Sequence, residues 1–197
     1  MKKTIFYFMR HGEVYNPENI LYGRLPNFRL SNNGKKQVER AVGFFQNIKI
    51  DILYSSPLLR AKETAKIIGS LLGLPVYQSS LLNEVKLIFQ GTTLCEYKKN
   101  IQPHLYTKKY LDQGQESIPD IFKRMMRFVQ VVTKKYKGKT ILAVSHGDPI
   151  GILKAKATNH QFTWKYKNAN YLKTGNWLKF VYNGRDLFWQ KENLGLQ

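Results

Sequence analysis

Two segments of this 197-residue chain place a histidine in the same setting. Residues 5–13 read IFYFMRHGE and residues 141–148 read ILAVSHGD, so His11 and His146 each follow an apolar run and each precede glycine and an acid. Near neutral pH an imidazole is a nucleophile, a general acid or base, and a metal ligand. Arg10 stands beside the first histidine, and Arg60 follows a third apolar run, residues 50–54, across Ser55-Ser56-Pro57. A guanidinium presents a planar fork of donors that matches phosphate oxygens. Two imidazoles and two guanidiniums around one anion describe a pocket for a phosphoryl group.

The same stretches allow a second chemistry, because His11, His146, Glu13 and Asp148 also form a ligand set for a divalent metal. The neighbouring arginines would repel a cation, so neither a metal nor another cofactor is expected. Each feature taken singly is ordinary: a lone histidine at a strand end is usually structural, and a lone arginine at a helix start is usually solvated or ion-paired. What carries weight is their coincidence at three strand ends. His104 and His160 lack that setting and are not expected to act.

Such a pocket needs elements that bring distant residues together. In an open parallel sheet, ligands bind outside the carboxyl ends of the strands. Residues 4–9, 50–54 and 140–144 are short, apolar and rich in β-formers, which predicts buried strands, and a shorter strand is expected around Val76. Helical spacing appears between them. Ser31 is placed to cap a helix carrying Val38, Ala41, Val42 and Phe45. Ser56 and Pro57 have the form of a cap and first residue for a helix through Ala61, Ala65, Ile68 and Leu72 that Gly73 stops. Ser117 and Pro119 open a third helix with Phe122, Met125, Met126, Val129 and Val132, the methionines as core filler, and Asp148-Pro149 opens a fourth. Asn183-Gly184 between residues 177–182 and 187–190 signals a β-hairpin. Residues 162–171 are expected to pack on the sheet with their lysines outward, and residues 82–115 show no clear period. Strands alternating with helices predict an α/β protein, a three-layer α/β/α sandwich with a mostly parallel central sheet, formed as a single domain over residues 1–197.

Composition limits the partners. The formal charge is +19, from 32 Lys and Arg against 13 Asp and Glu, which favours anionic ligands. A lysine-rich solvated surface accounts for most of this, with nucleic acid a minority option. The only cysteine, Cys95, has no intramolecular partner. The apolar run after Lys2-Lys3 is too short for an export signal, and no later stretch reaches the roughly 20 apolar residues of a membrane span, so a cytoplasmic protein without membrane contact is expected.

With these motifs in place the chain resembles the histidine phosphatase superfamily, also called phosphoglycerate-mutase-like. The resemblance runs through FMRHGE, LYGRLPNFRLSNNGKKQ, LYSSPLLRAKETA and AVSHGDPI, in the family's order. It implies that His11 is the nucleophile, that Arg10, Arg60, His146 and Gly147 hold the phosphoryl group, and that Glu84 in Leu82-Asn83-Glu84 is the general acid and base. This sequence departs from the family pattern after Glu84, with Ile88 where a glycine is usual and Gln90-Gly91 in place of an acidic-Gly pair. Glu13 and Glu96 are the next candidates for the proton donor. Asn16 stands one residue closer to the nucleophile than its counterpart in many relatives, and it is carried as a substrate contact together with Arg24 at the rim. The implied activity is metal-independent hydrolysis of a small phosphorylated substrate. A phosphoglycerate-mutase-type phosphotransferase and an inactive protein that binds polyanions or nucleic acid are the alternatives.

Overall fold

The computed structural model describes residues 2–191. In chain order the elements are β1 (Thr4–Arg10), α1 (Asn32–Phe45), β2 (Ile52–Ser55), α2 (Leu59–Leu72), β3 (Val76–Gln78), α3 (Leu94–Glu96), α4 (Lys108–Leu111), α5 (Ile118–Lys135), β4 (Thr140–Ser145), α6 (Gly147–Ala157), α7 (Trp164–Asn170), β5 (Trp177–Tyr182) and β6 (Leu187–Gln190). One six-stranded sheet runs β3-β2-β4-β1-β5-β6. The first four strands in that order pair in parallel, β5 pairs antiparallel with β1, and β6 pairs antiparallel with β5.

The continuous apolar runs of β1 and β4 follow from burial on both faces of the sheet. Tyr7, Met9, Leu142 and Val144 face one layer, where they pack with Val38, Val42 and Phe45 of α1 and Ala61, Ala65 and Ile68 of α2. Phe6, Phe8, Ile141 and Ala143 face the other, against Met125, Phe128 and Val129 of α5 and Ile150 and Leu153 of α6. This is the expected three-layer arrangement, and Met125 and Met126 serve as the core filler their spacing predicted.

Local signals set most boundaries. Ser31 caps α1 by accepting from Gly34 N at 2.9 Å, Ser117 caps α5 by accepting from Asp120 N at 3.2 Å, and Gly73 ends α2 in the left-handed region. Two expectations need correction. Helix α2 begins at Leu59 behind Leu58 with no side-chain cap; the Ser56 hydroxyl accepts weakly from Leu58 N at 3.4 Å ahead of the helix and makes its shorter bonds with Asn83 and His146. Residues 162–171 contain α7, and only Lys165 of its lysines points outward; Lys167 is buried against Asp148 at 2.7 Å, since that carboxylate needs a counter-charge inside the protein.

The segment without a clear period is a cap of short turns. A 3-10 turn at Ser80–Leu82 is followed by α3, a π turn at Tyr97–Ile101, a 3-10 turn at Gln102–His104 and α4. Val85, Leu87, Tyr97, Ile101 and Leu105 form a third apolar cluster on Ile121 and Ile152, and a bridge between Ile20 and Thr93 ties the cap to the loop after β1.

Candidate active site

Strand register delivers the two histidines to one place. Arg10 pairs with Ser145 across parallel β1 and β4, so His11 and His146 follow at the same level. The main-chain N–H of His11 donates to Ser145 O at 3.1 Å, and the two imidazole centroids lie 5.2 Å apart. Both rings are buried. The loop after β1 is pressed against the start of α1; a Cβ at Gly34 would lie 2.1 Å from Glu13 O, so only glycine permits that approach.

Hydrogen bonds fix both tautomers. His11 Nδ1 lies 2.7 Å from Gly12 O, a group that only accepts, so the proton sits on Nδ1 and Nε2 is bare. Arg60 Nε donates to that bare nitrogen at 3.1 Å. Ser56 Oγ donates to Asn83 Oδ1 at 3.0 Å, which leaves it to accept from His146 Nε2 at 2.9 Å. His146 Nδ1 therefore carries the lone pair that meets Arg60 Nη2 at 3.2 Å. One buried guanidinium thus spans two neutral imidazoles, and its Nη2 also donates to Gly23 O at 2.7 Å.

Electrostatics agree with these assignments. Burial, followed by the charges of Arg60 and Arg10, holds the pKa of His11 well below the ordinary imidazole value. His146 is lowered in the same direction by burial, then Arg60, then His11. Glu84 reaches the same chamber, with Oε2 4.0 Å from His146 Nδ1 and Oε1 accepting from Val85 N at 2.9 Å. Its pKa is raised by burial and by Asp148, against the opposing charge of Arg60. A carboxyl group with a raised pKa beside a neutral imidazole is a pairing suited to proton donation and nucleophilic attack.

Arg10 enters from the end of β1, donating from Nη1 to Leu172 O at 2.7 Å with its guanidinium 4.6 Å from the Tyr171 ring. Tyr22 lies over Arg60 in the same way at 4.7 Å. Neither tyrosine was foreseen, because loop aromatics carry no spacing signal. Nor were Thr64, whose hydroxyl accepts from Gly12 N at 3.1 Å, and Ser56 in its role on His146.

The structure does not bring every candidate inward. The side chain of Asn16 closes a turn on Ile20, donating to its carbonyl at 2.9 Å and accepting from its N–H at 3.3 Å. Arg24 donates from Nε to Glu84 O at 2.7 Å and pairs with Glu116 at 3.1 Å. Glu13 accepts from Ser31 and Asn33 at the start of α1, and Glu96 is exposed. His104 and His160 are exposed as well. Among the described residues no group of three or more His, Cys, Asp or Glu side chains is placed to hold a metal ion, and no helix is long and apolar enough to cross a membrane.

A cavity of about 290 Å³ opens from Arg10 and Glu84 and is walled by Leu21, Val85, Leu87, Leu94 and Tyr97. Gly147 begins α6 under the ring of Tyr171, and a Cβ there would lie 2.6 Å from the tyrosine hydroxyl. Gly147→Ala is therefore expected to fold while pushing Tyr171 off Arg10. Loss of a cation–π contact worth about 0.5–2 kcal/mol should raise KM for phosphomonoesters roughly 2- to 30-fold. Steady-state kinetics beside a thermal melt would check this, and an unchanged KM would show that Tyr171 does not organise Arg10.

The chain is similar to known proteins in sequence and in fold. Phosphoglycerate mutase-like protein 4 of Arabidopsis thaliana is 34% identical over 160 residues, covering 76% of this chain and 69% of that protein. The solved structure of Bacillus stearothermophilus YhfR matches with a TM-score of 0.82 at 24% identity, covering 94% of this chain and 95% of that one. Phosphoserine phosphatase from Entamoeba histolytica, solved with 3-phosphoglyceric acid, matches with a TM-score of 0.78 at 24% identity over 95% of each chain. The family model of the histidine phosphatase superfamily, branch 1, matches residues 6–191, and the chain belongs to that family.

Proposed function

We propose that this protein hydrolyses small phosphomonoesters through a phosphohistidine on His11. The observation that carries the reading is the held tautomer: Gly12 O fixes the proton on Nδ1, so the bare Nε2 meets Arg60 inside a buried chamber shared with His146. An arriving phosphoryl group supplies oxygens that replace the imidazole nitrogens as acceptors for Arg60. His11 Nε2 attacks phosphorus, the P–N bond forms as the P–O bond to the leaving group breaks, and Glu84 gives its proton to the departing oxygen. Glu84, now a carboxylate, takes a proton from water, whose oxygen attacks phosphorus. The P–N bond then breaks, and inorganic phosphate leaves with His11 neutral again.

Arg10, Arg60 and His146 act by stabilising charge on the transferred group, the main requirement of phosphoryl transfer. His146, neutral in the free site, takes up a proton from solvent on Nδ1 as the dianion binds, becomes a donor to its oxygen, and returns that proton to solvent when inorganic phosphate leaves. The scheme uses no metal. The cavity beside Arg10 and Glu84, at about 290 Å³, lies at the small end of ligand pockets and suits a small phosphorylated group. Phosphorylated small acids are the first substrates to try, on the lead of the Entamoeba histolytica complex.

The test is a single-turnover reaction with 4-nitrophenyl phosphate in excess chelator. Acid-labile, alkali-stable phosphate should appear on the protein, inorganic phosphate should match the phenol released, and vanadate should inhibit. A protein that carries no phosphate and loses turnover to the chelator would sink the reading. Phenol in excess of inorganic phosphate would instead show transfer to a second acceptor.

A further inference from the structure

Glu116, one residue ahead of the α5 cap Ser117, lies outside the cavity lining, yet it gathers four hydrogen bonds. Its Oε1 accepts from Arg124 Nε at 2.6 Å. Its Oε2 accepts from Lys86 N at 2.8 Å, Arg24 Nη2 at 3.1 Å and Arg124 Nη2 at 3.3 Å. The Glu116 and Arg124 side chains are only 13% and 14% exposed, so this is no solvated surface pair.

Both arginines then turn to the same backbone. Arg24 Nε reaches Glu84 O at 2.7 Å and Arg124 Nη2 reaches it at 3.3 Å, while Arg124 Nη1 holds Leu81 O at 2.8 Å. Two guanidiniums on one main-chain carbonyl are more than that carbonyl needs to be satisfied. The surplus has a geometric effect. Glu84 Oε1 is already fixed by Val85 N, so the placing of this turn decides where Oε2 stands relative to His146. Without the Glu116 carboxylate, two like charges would face each other across the turn and separate.

We propose that Glu116 is a positioning residue, clamping Arg24 and Arg124 onto the Glu84 turn and so aiming the proton donor at the leaving group. This rests on the assignment of Glu84 made above. In the first step, transfer to His11, the clamp matters only where a proton must be delivered. A misplaced donor slows expulsion of an alkoxide but not of 4-nitrophenolate, which leaves without protonation.

The test compares Glu116→Ala with wild type on 4-nitrophenyl phosphate and an alkyl phosphate. The expected result is a fall of about tenfold to a hundredfold in kcat for the alkyl ester, as a donor displaced by roughly an ångström would give. KM and the first-turnover release of 4-nitrophenolate should stay near the wild-type values. Arg24→Gln, which removes one hold on the turn and leaves α5 intact, should show the same selective loss and answers the question if Glu116→Ala does not fold. Equal losses on both esters in the first turnover, or no loss in a folded variant, would overturn the clamp. Absence of first-turnover phosphoprotein in the wild type would instead overturn the phosphohistidine reading beneath it.

Discussion

His11→Ala should lower turnover of every phosphomonoester by something on the order of 10⁶-fold, the scale on which enzymes lose their nucleophile. Acid-labile phosphate should vanish from the protein in the same variant. His146 Nδ1 is the other bare imidazole nitrogen on Arg60, so this variant also decides which of the two rings is the nucleophile. Normal turnover by the alanine variant would remove His11 from the mechanism. The same burial sets a pH dependence. Burial first, then Arg60 and Arg10, keep His11 unprotonated below the pH at which a free imidazole titrates, about 6.5. The acid limb of kcat/KM belonging to this group should therefore fall below that value. Stability should also fall on acidification, and from a higher pH: below about pH 6.5 the unfolded chain binds protons at residues 11 and 146 that the folded chain refuses, so stability present above that pH declines as the solution is acidified. Denaturant midpoints measured between pH 7.5 and 5 would record the decline.

Glu84→Gln should have the next largest effect, and its signature is selectivity. The amide keeps the shape and can still accept from Val85 N, but it can neither give a proton to an alkoxide nor take one from water. Turnover of alkyl phosphates should drop by about 10²–10⁴, the range for loss of a general acid and base. With 4-nitrophenyl phosphate the first turnover should survive while the second step stalls, so phosphohistidine accumulates. Quenched-flow measurement of the trapped phosphate separates the two steps. Equal rates for wild type and variant on alkyl esters would return the search for the donor to other groups.

The parts of this molecule that the sequence disclosed are those whose order is local. Strands β1 and β4 announced themselves because both faces are buried, and α1 and α5 because Ser31 and Ser117 cap apolar stripes at helical spacing. The convergence of residues 10, 11, 60 and 146 could be inferred from strand ends and sheet type alone. Glu84 came only from family resemblance, since no spacing marks a lone acid in a turn. Residues 82–115 resisted because their order is borrowed from a distance, through Arg24, Arg124, Glu116 and the Ile20–Thr93 bridge. Ser56 looked like a helix cap and Lys167 like a surface lysine for the same reason. Their true partners, His146 and Asp148, lie 90 and 19 residues away in sequence.

Two kinds of scaffolding meet at this chamber. His11, Arg10 and His146 hang from adjacent parallel strands in the middle of the sheet, whereas Leu87, Leu94 and Tyr97 belong to a cap of short turns held on from outside. Under the proposed function, changes at Leu87, Leu94 and Tyr97 would retailor which alcohol is released while leaving His11, Arg10 and His146 on their strands. Glu84, on the cap itself, instead ties the proton donor to whatever the cap becomes.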